Sequence, residues 1–156
     1  FFLKTFHSCV KKLRHVKSET EYELAKKRIV ADVQRSINAL RQREVPLEDL
    51  EYSVKLRFDP REKAMEEALH QPYQCAVQLI DSGKEVNKRD TVSFIKVKPF
   101  MYKDKRFTVK PAEHVESLSE INVEDYIRNL KTALNQTFGP MSIKFETKKD
   151  MELSDW

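Results

Sequence analysis

Ser18-Glu19-Thr20-Glu21 opens the one stretch of this sequence that can become little other than a long helix. The Ser18 hydroxyl can take an orphan amide of a first helical turn while the Glu21 carboxylate reaches back for another, the reciprocal pattern of a capping box. Behind it Leu24, Ile29, Val33, Ile37 and Leu40 recur at helical spacing down to about Arg43, an apolar stripe with Lys26, Lys27, Arg35 and Arg41 on the remaining surface. Pro46 closes the run, because the residue before a proline is pushed out of the α region. Upstream, Phe2, Leu3, Phe6, Cys9, Val10 and Leu13 stand at helical spacing within residues 1–17. That shorter helix is too apolar to be left in water, so it is expected to pack on the long helix or on a partner.

Beyond Pro46 the pattern changes period. From Glu51 to Phe58 the residues Tyr52, Val54, Leu56 and Phe58 alternate onto one face, which predicts a strand. Asp59-Pro60 starts a charge-rich helix expected over residues 60–69, and Gln71-Pro72 interrupts it. Residues 73–79 predict a further helix, with Ala76, Val77 and Ile80 as its buried side and Ser82-Gly83 as its end. A second strand is expected over residues 91–98, paired with residues 107–109 across a basic loop. Within residues 117–139 lies the best-defined helix: Asn122 can cap it, Glu124 and Asp125 suit its positively polarised first turn, and Tyr126, Ile127, Leu130, Ala133, Leu134 and Phe138 form one stripe. Gly139-Pro140 stops it, and a tail of mixed charge, residues 141–156, carries the only tryptophan. The expectation is an α+β fold of mainly helical mass with a small antiparallel β element.

Several function classes are excluded by count and spacing. With two glycines in 156 residues there is no Gly-rich phosphate loop and no dinucleotide fingerprint. No apolar run approaches the ~20 residues of a membrane span, and no signal peptide is legible, so a soluble, intracellular chain (cytoplasm or nucleoid) with no membrane partner is expected. Cys9 and Cys75 are expected as reduced thiols. His7, His15, His70 and His114 show no metal-ligand spacing, and the densest acidic pairs, Glu66-Glu67 and Glu124-Asp125, read as a solvated face and as first-turn dipole partners. No serine has an adjacent base or a glycine-containing elbow. Composition and spacing therefore argue for binding or structure. The chain begins with Phe1 rather than Met, which suggests processing or a segment of something larger.

Charge is where the sequence speaks of a partner. The formal net charge is +4, but residues 1–50, 51–83, 84–110 and 111–156 carry +4, −2, +6 and −4. The excess in residues 84–110 comes from Lys84, Lys88, Arg89, Lys96, Lys98, Lys103, Lys105, Arg106 and Lys110, interleaved with Phe94, Phe100, Tyr102 and Phe107. Such a stretch suits a phosphate-binding surface, and equally a solvated hairpin whose lysines keep it soluble.

Arg43-Glu44-Val45-Pro46-Leu47-Glu48-Asp49-Leu50 resembles the helix-to-strand passage in the C-terminal thumb of archaeal-type family B DNA polymerases. The similarity continues in order through Tyr52-Ser53-Val54-Lys55-Leu56, then Gln71-Pro72-Tyr73-Gln74-Cys75-Ala76-Val77-Gln78-Leu79, which looks like that family's proline-histidine-valine helix. Residues 81–95 are similar to its following turn and hydrophobic strand, Val123-Glu124-Asp125-Tyr126-Ile127 to its aspartate-x-x-tyrosine-tyrosine-isoleucine helix, Leu134-Asn135-Gln136-Thr137-Phe138-Gly139 to that helix's end, and Leu153-Ser154-Asp155-Trp156 to a leucine-x-x-tryptophan near the C-terminus. Tyr73 stands where the family has histidine, and Asn87-Lys88-Arg89 replaces a glycine-containing turn.

The resemblance implies a palm-to-thumb lead-in at residues 1–17, a thumb at 18–140 and a C-terminal tail at 141–156. It implies no catalytic or metal residue here, because the palm's tyrosine-x-aspartate-threonine-aspartate run is missing. The catalytic carboxylates and their Mg²⁺ would lie on a palm-containing chain or segment, and the other partners would be double-stranded primer-template DNA and a sliding clamp. Duplex would be held by Arg57, Arg61 and Lys63, by Gln71, Tyr73 and Gln74 as neutral donors, and by Lys84, Lys88, Arg89, Lys103, Lys105 and Arg106. The alternative is a non-enzymatic accessory or scaffold module that binds nucleic acid.

Overall fold

A computed structural model describes residues 1–141 and 143–145, within which the chain divides into two units. One comprises Phe1–Glu44 and resumes at Val123, and the other is Val45–Asn122. The described residues form helices α1 (Phe2–Leu13), α2 (Glu19–Arg41), α3 (Pro60–Lys63), α4 (Gln71–Asp81) and α5 (Val123–Phe138), and strands β1 (Tyr52–Lys55), β2 (Thr91–Tyr102) and β3 (Lys105–Pro111). Short 3₁₀ turns occupy Leu47–Leu50, Ala112–His114, Leu118–Glu120 and Gly139–Met141. The fold is α+β and mainly helical, with one small antiparallel sheet. Leu153-Ser154-Asp155-Trp156 and most of the expected tail lie outside the described residues.

In the helical unit Ser18 caps α2 as its sequence context requires: its Oγ accepts from the Glu21 amide at 3.1 Å, and Glu21 Oε2 accepts from the Lys17 amide at 2.7 Å. Ile29, Val33, Ile37 and Leu40 are buried along the stripe, whereas Leu24 is exposed. Helix α2 ends in a left-handed residue, Arg43 (φ +59°), and the Glu44 amide returns to the Ala39 carbonyl at 2.9 Å. As expected, α1 packs on α2. The contact is partly polar: Thr5 Oγ1 donates to Ser36 Oγ at 3.2 Å and Ser8 Oγ to Asp32 Oδ2 at 2.7 Å. Asp32 is buried, and pairing with Lys12 and Arg35 keeps its charge from being stranded there. Phe6 links Phe2 and Phe138, each at a ring separation of 5.8 Å. Tyr126, Ile127, Leu130, Leu134 and Phe138 are the buried stripe of α5.

The other unit is a three-stranded sheet of order β1-β2-β3, with α4 against one face. Tyr52 pairs with Phe94, Phe94 with Pro111 and Phe100 with Phe107. The β2–β3 register shifts between Lys96 and Phe100, a span that holds Pro99, which has no amide for the ladder. Leu56, Tyr73, Cys75, Ala76, Leu79, Val86, Val92, Phe94 and Val109 make the core beneath α4. Neighbouring Phe94 and Ile95 are both buried, because β2 is covered on two sides: Val97 bridges to Ile121, and the Asn122 amide donates to the Lys96 carbonyl at 3.2 Å.

Three boundaries differ from expectation. Strand β1 stops at Lys55, because Leu56 gives its amide to the Asp90 carbonyl and accepts from the Arg89 amide instead of continuing the ladder. The helix expected over residues 60–69 ends at Lys63: the Ala64 and Glu66 carbonyls, which a longer helix would bond to later amides, accept from Lys105 Nζ at 2.9 and 2.7 Å. The hairpin strands are longer than expected, since Lys103 and Asp104 (φ +47° and +65°) close them in two residues with the twist of a type I′ turn. Helix α5 begins directly after Asn122, as expected, and Ser117 and Glu120 form a capping box on a 3₁₀ turn of their own.

Candidate nucleic-acid interface

The basic residues that the sequence distributes over two segments meet in the sheet unit through backbone bonds. Leu56 is the junction: its amide donates to the Asp90 carbonyl at 2.9 Å and its carbonyl accepts from the Arg89 amide at 3.0 Å. Arg57 follows directly. The Asp90 amide donates to the Asn87 carbonyl at 3.1 Å, closing a turn whose third residue, Arg89, has φ +74°, and the Asp90 carboxylate accepts from the Asn87 amide at 2.7 Å. Arg61 fastens the same turn from the other segment, donating to the Val86 carbonyl at 3.1 Å. Asp59 caps α3 by accepting from the Arg61 amide at 2.9 Å and lies 3.6 Å from the guanidinium.

Arg57, Arg61, Lys88 and Arg89 thus come from two segments onto one corner of the sheet unit. Arg57, Lys88 and Arg89 are exposed and have no acidic partner among the described residues. Lys55, at the end of β1, is exposed and unpaired in the same way; the pattern of residues 51–58 held it, but among several surface lysines it carried no distinguishing signal. Arg106 is exposed and unpaired on β3, opposite exposed Met101.

The remaining candidates have partners within the chain. Lys63 pairs with Glu66 at 2.8 Å, a bond that raises the lysine pKa, and lies 4.6 Å from the Phe58 ring centroid. Lys105 holds the Ala64 and Glu66 carbonyls, and Lys84 pairs with Glu113. Lys103 meets Asp81 at 2.8 Å. Hydrogen bonds from Lys103 and then Tyr102 hold the Asp81 carboxyl below its usual range, while burial and then the bond to Asp81 push the Tyr102 hydroxyl up to about 12. Tyr73 is buried with its hydroxyl accepting from the Phe58 amide at 3.0 Å. Gln74, also buried, accepts from the Thr108 amide at 2.8 Å and donates to the Leu69 carbonyl at 2.9 Å; Gln71 donates to Thr108 Oγ1 at 3.2 Å. These groups hold α4, β3 and the residue 58–69 segment in place.

The corner offers exposed cations, Arg57, Lys88 and Arg89, with no acidic partner among the described residues. It suits phosphate. Among the described residues no three His, Cys, Asp or Glu side chains gather as metal ligands, and no helix is long and apolar enough to cross a membrane.

These features define a class by architecture: a mainly helical α+β domain whose small antiparallel sheet carries a basic corner. Among solved structures 41 chains match it. One is the family B DNA polymerase from the hyperthermophilic archaeon Pyrobaculum calidifontis, with a TM-score of 0.66 and 22% identity over 86% of this chain. The chain spans 17% of the length of that polymerase, and at this identity the likeness is one of fold. No protein-family model and no curated protein matches the sequence.

Proposed function

We propose that this chain is the thumb part of a family B DNA-directed DNA polymerase and grips primer-template duplex through phosphate contacts that ignore sequence. The observation that carries the reading is the fold likeness to a family B DNA polymerase over 86% of the chain. Its chemical support is the corner where Leu56 joins the Arg57 segment to the Arg89 turn. In this reading Arg57, Arg61, Lys88, Arg89 and Arg106 face phosphates, while Tyr73, Gln74, Lys84, Lys103 and Lys105 hold the frame and Lys63 and Gln71 flank it. A polymerase must slide along any sequence, and charge on phosphate supplies affinity without base discrimination. Nucleotidyl transfer would belong to the assembled polymerase, with palm carboxylates and Mg²⁺ on another chain or segment and a sliding clamp as a further partner. The setting would be intracellular and archaeal-type. The isolated chain is expected to add no nucleotide to a primer.

Salt titration tests the reading. Each lost phosphate contact lowers the slope of log affinity against log salt by ~0.9, so Arg57→Ala with Arg89→Ala is expected to lower it by roughly twice that on two unrelated primer-templates alike. An unchanged slope overturns the phosphate assignment. Loss confined to one sequence favours a base-reading accessory module instead.

A further inference from the structure

Phe58 breaks the pattern its surroundings set. Alternation groups it with Tyr52, Val54 and Leu56 on one strand face, yet β1 ends at Lys55, and Phe58 is 51% exposed where Leu56 is 2% exposed. Its backbone is held on both sides. Buried Tyr73 accepts the Phe58 amide at 3.0 Å, Leu56 is bonded to Asp90 and Arg89, and Asp59 caps α3 through the Arg61 amide. The ring is therefore presented from an anchored stretch of chain. Lys63 Nζ stands 4.6 Å from the ring centroid, and Arg57 next to it in the chain has no acidic partner among the described residues. A lone exposed aromatic is ordinary. One anchored next to unpaired Arg57 and beneath the Lys63 ammonium, at the corner proposed above to meet phosphates, has a ligand chemistry: nucleotides bring their apolar faces wherever they bring their phosphates.

We propose that Phe58 contacts the apolar face of a nucleotide, a base or a deoxyribose, beside the phosphates held by Arg57 and Arg89. The inference rests on the duplex-holding reading above. Stacking on an aromatic ring is tolerant of sequence because every base has a π face, so this contact adds affinity without adding base discrimination. It also differs from the arginine contacts in kind, since no counterion is released when a ring meets a base or a sugar.

The test measures binding of the full 156-residue chain to a blunt duplex and to the same duplex with a single-stranded overhang, across a salt series. Phe58→Ala is expected to weaken binding about five- to one-hundred-fold with the salt slope unchanged. Arg57→Ala is expected to lower the slope. Loss on both substrates places the ring on the duplex sugars, and loss on the overhang substrate alone places it on an unpaired base; either supports the contact. Wild-type binding that Phe58→Ala leaves intact overturns this inference alone. A wild-type chain that binds neither DNA overturns the duplex-holding reading and this inference with it. Should Phe58→Ala melt early, Phe58→Leu keeps an apolar side chain on the same anchored backbone, and its binding decides the matter by the same criteria.

Discussion

The Arg89 amide donates to the Leu56 carbonyl at 3.0 Å, so Arg89 becomes a neighbour of Arg57 although helices α3 and α4 separate them in the chain. Arg89 holds that place in a left-handed conformation, φ +74°, where a glycine would be at ease. The turn thus keeps a charge at the expense of backbone comfort.

Arg89→Gly is accordingly expected to stabilise the fold while weakening DNA binding. Relief of the left-handed conformation, about 1–2 kcal/mol, outweighs the added freedom of glycine in the unfolded chain, about 0.5–1 kcal/mol. Urea unfolding should show a gain of about 0.5–1 kcal/mol over Arg89→Ala, which keeps the strain and loses only the charge. Equal stability of the two variants would sink the strain argument.

Lys105 is expected to behave as a structural lysine. Its ammonium takes the Ala64 and Glu66 carbonyls, and Lys105→Met leaves both to solvent or unpaired. A loss of about 1–2 kcal/mol in unfolding free energy, with little change in the salt slope of DNA binding, is the anticipated result. A fall of ~0.9 in slope with no loss of stability would return Lys105 to the phosphate contacts.

Phe6 ties α1 to Phe138 of α5, so Phe6→Asp places a carboxylate against two aromatic rings. We expect a cost of about 2–4 kcal/mol, read as lowered helicity and an earlier thermal transition by circular dichroism. A wild-type transition would make α1 a dispensable appendage.

Acid sensitivity is expected at Glu120. The Lys110 ammonium, 2.5 Å from Oε1, is the main cause of its lowered pKa, followed by the amides of Glu116 and Ser117. Because the folded value lies below the ordinary 4.5, the stabilisation is fully present above that value and is lost as pH falls through the depressed one. Melts at pH 7 and pH 3 should therefore show a smaller acid-induced drop for Glu120→Gln than for wild type. An identical drop in both proteins argues against the Lys110 pairing.

What the amino-acid order determined is what neighbours in the chain decide among themselves. The Ser18–Glu21 cap, the α2 stripe, the stop near Pro46 and the α5 stripe each depend on residues within a turn or two of one another. The α+β class and the basic character of residues 84–110 follow from the same local reading. Tertiary structure decided whatever depends on partners far along the chain. Lys105 ended the helix after Lys63, Asp90 and Arg89 ended β1 before Phe58, and Tyr73 turned inward to hold a backbone amide. Identical lysines in the sequence became unlike in the fold, some fastened to carbonyls or carboxylates and Lys88 left unpaired among the described residues. A cation's role is set by which acceptor lies within about 3 Å of it, and that distance exists only once the sheet, its turns and α4 have closed on one another.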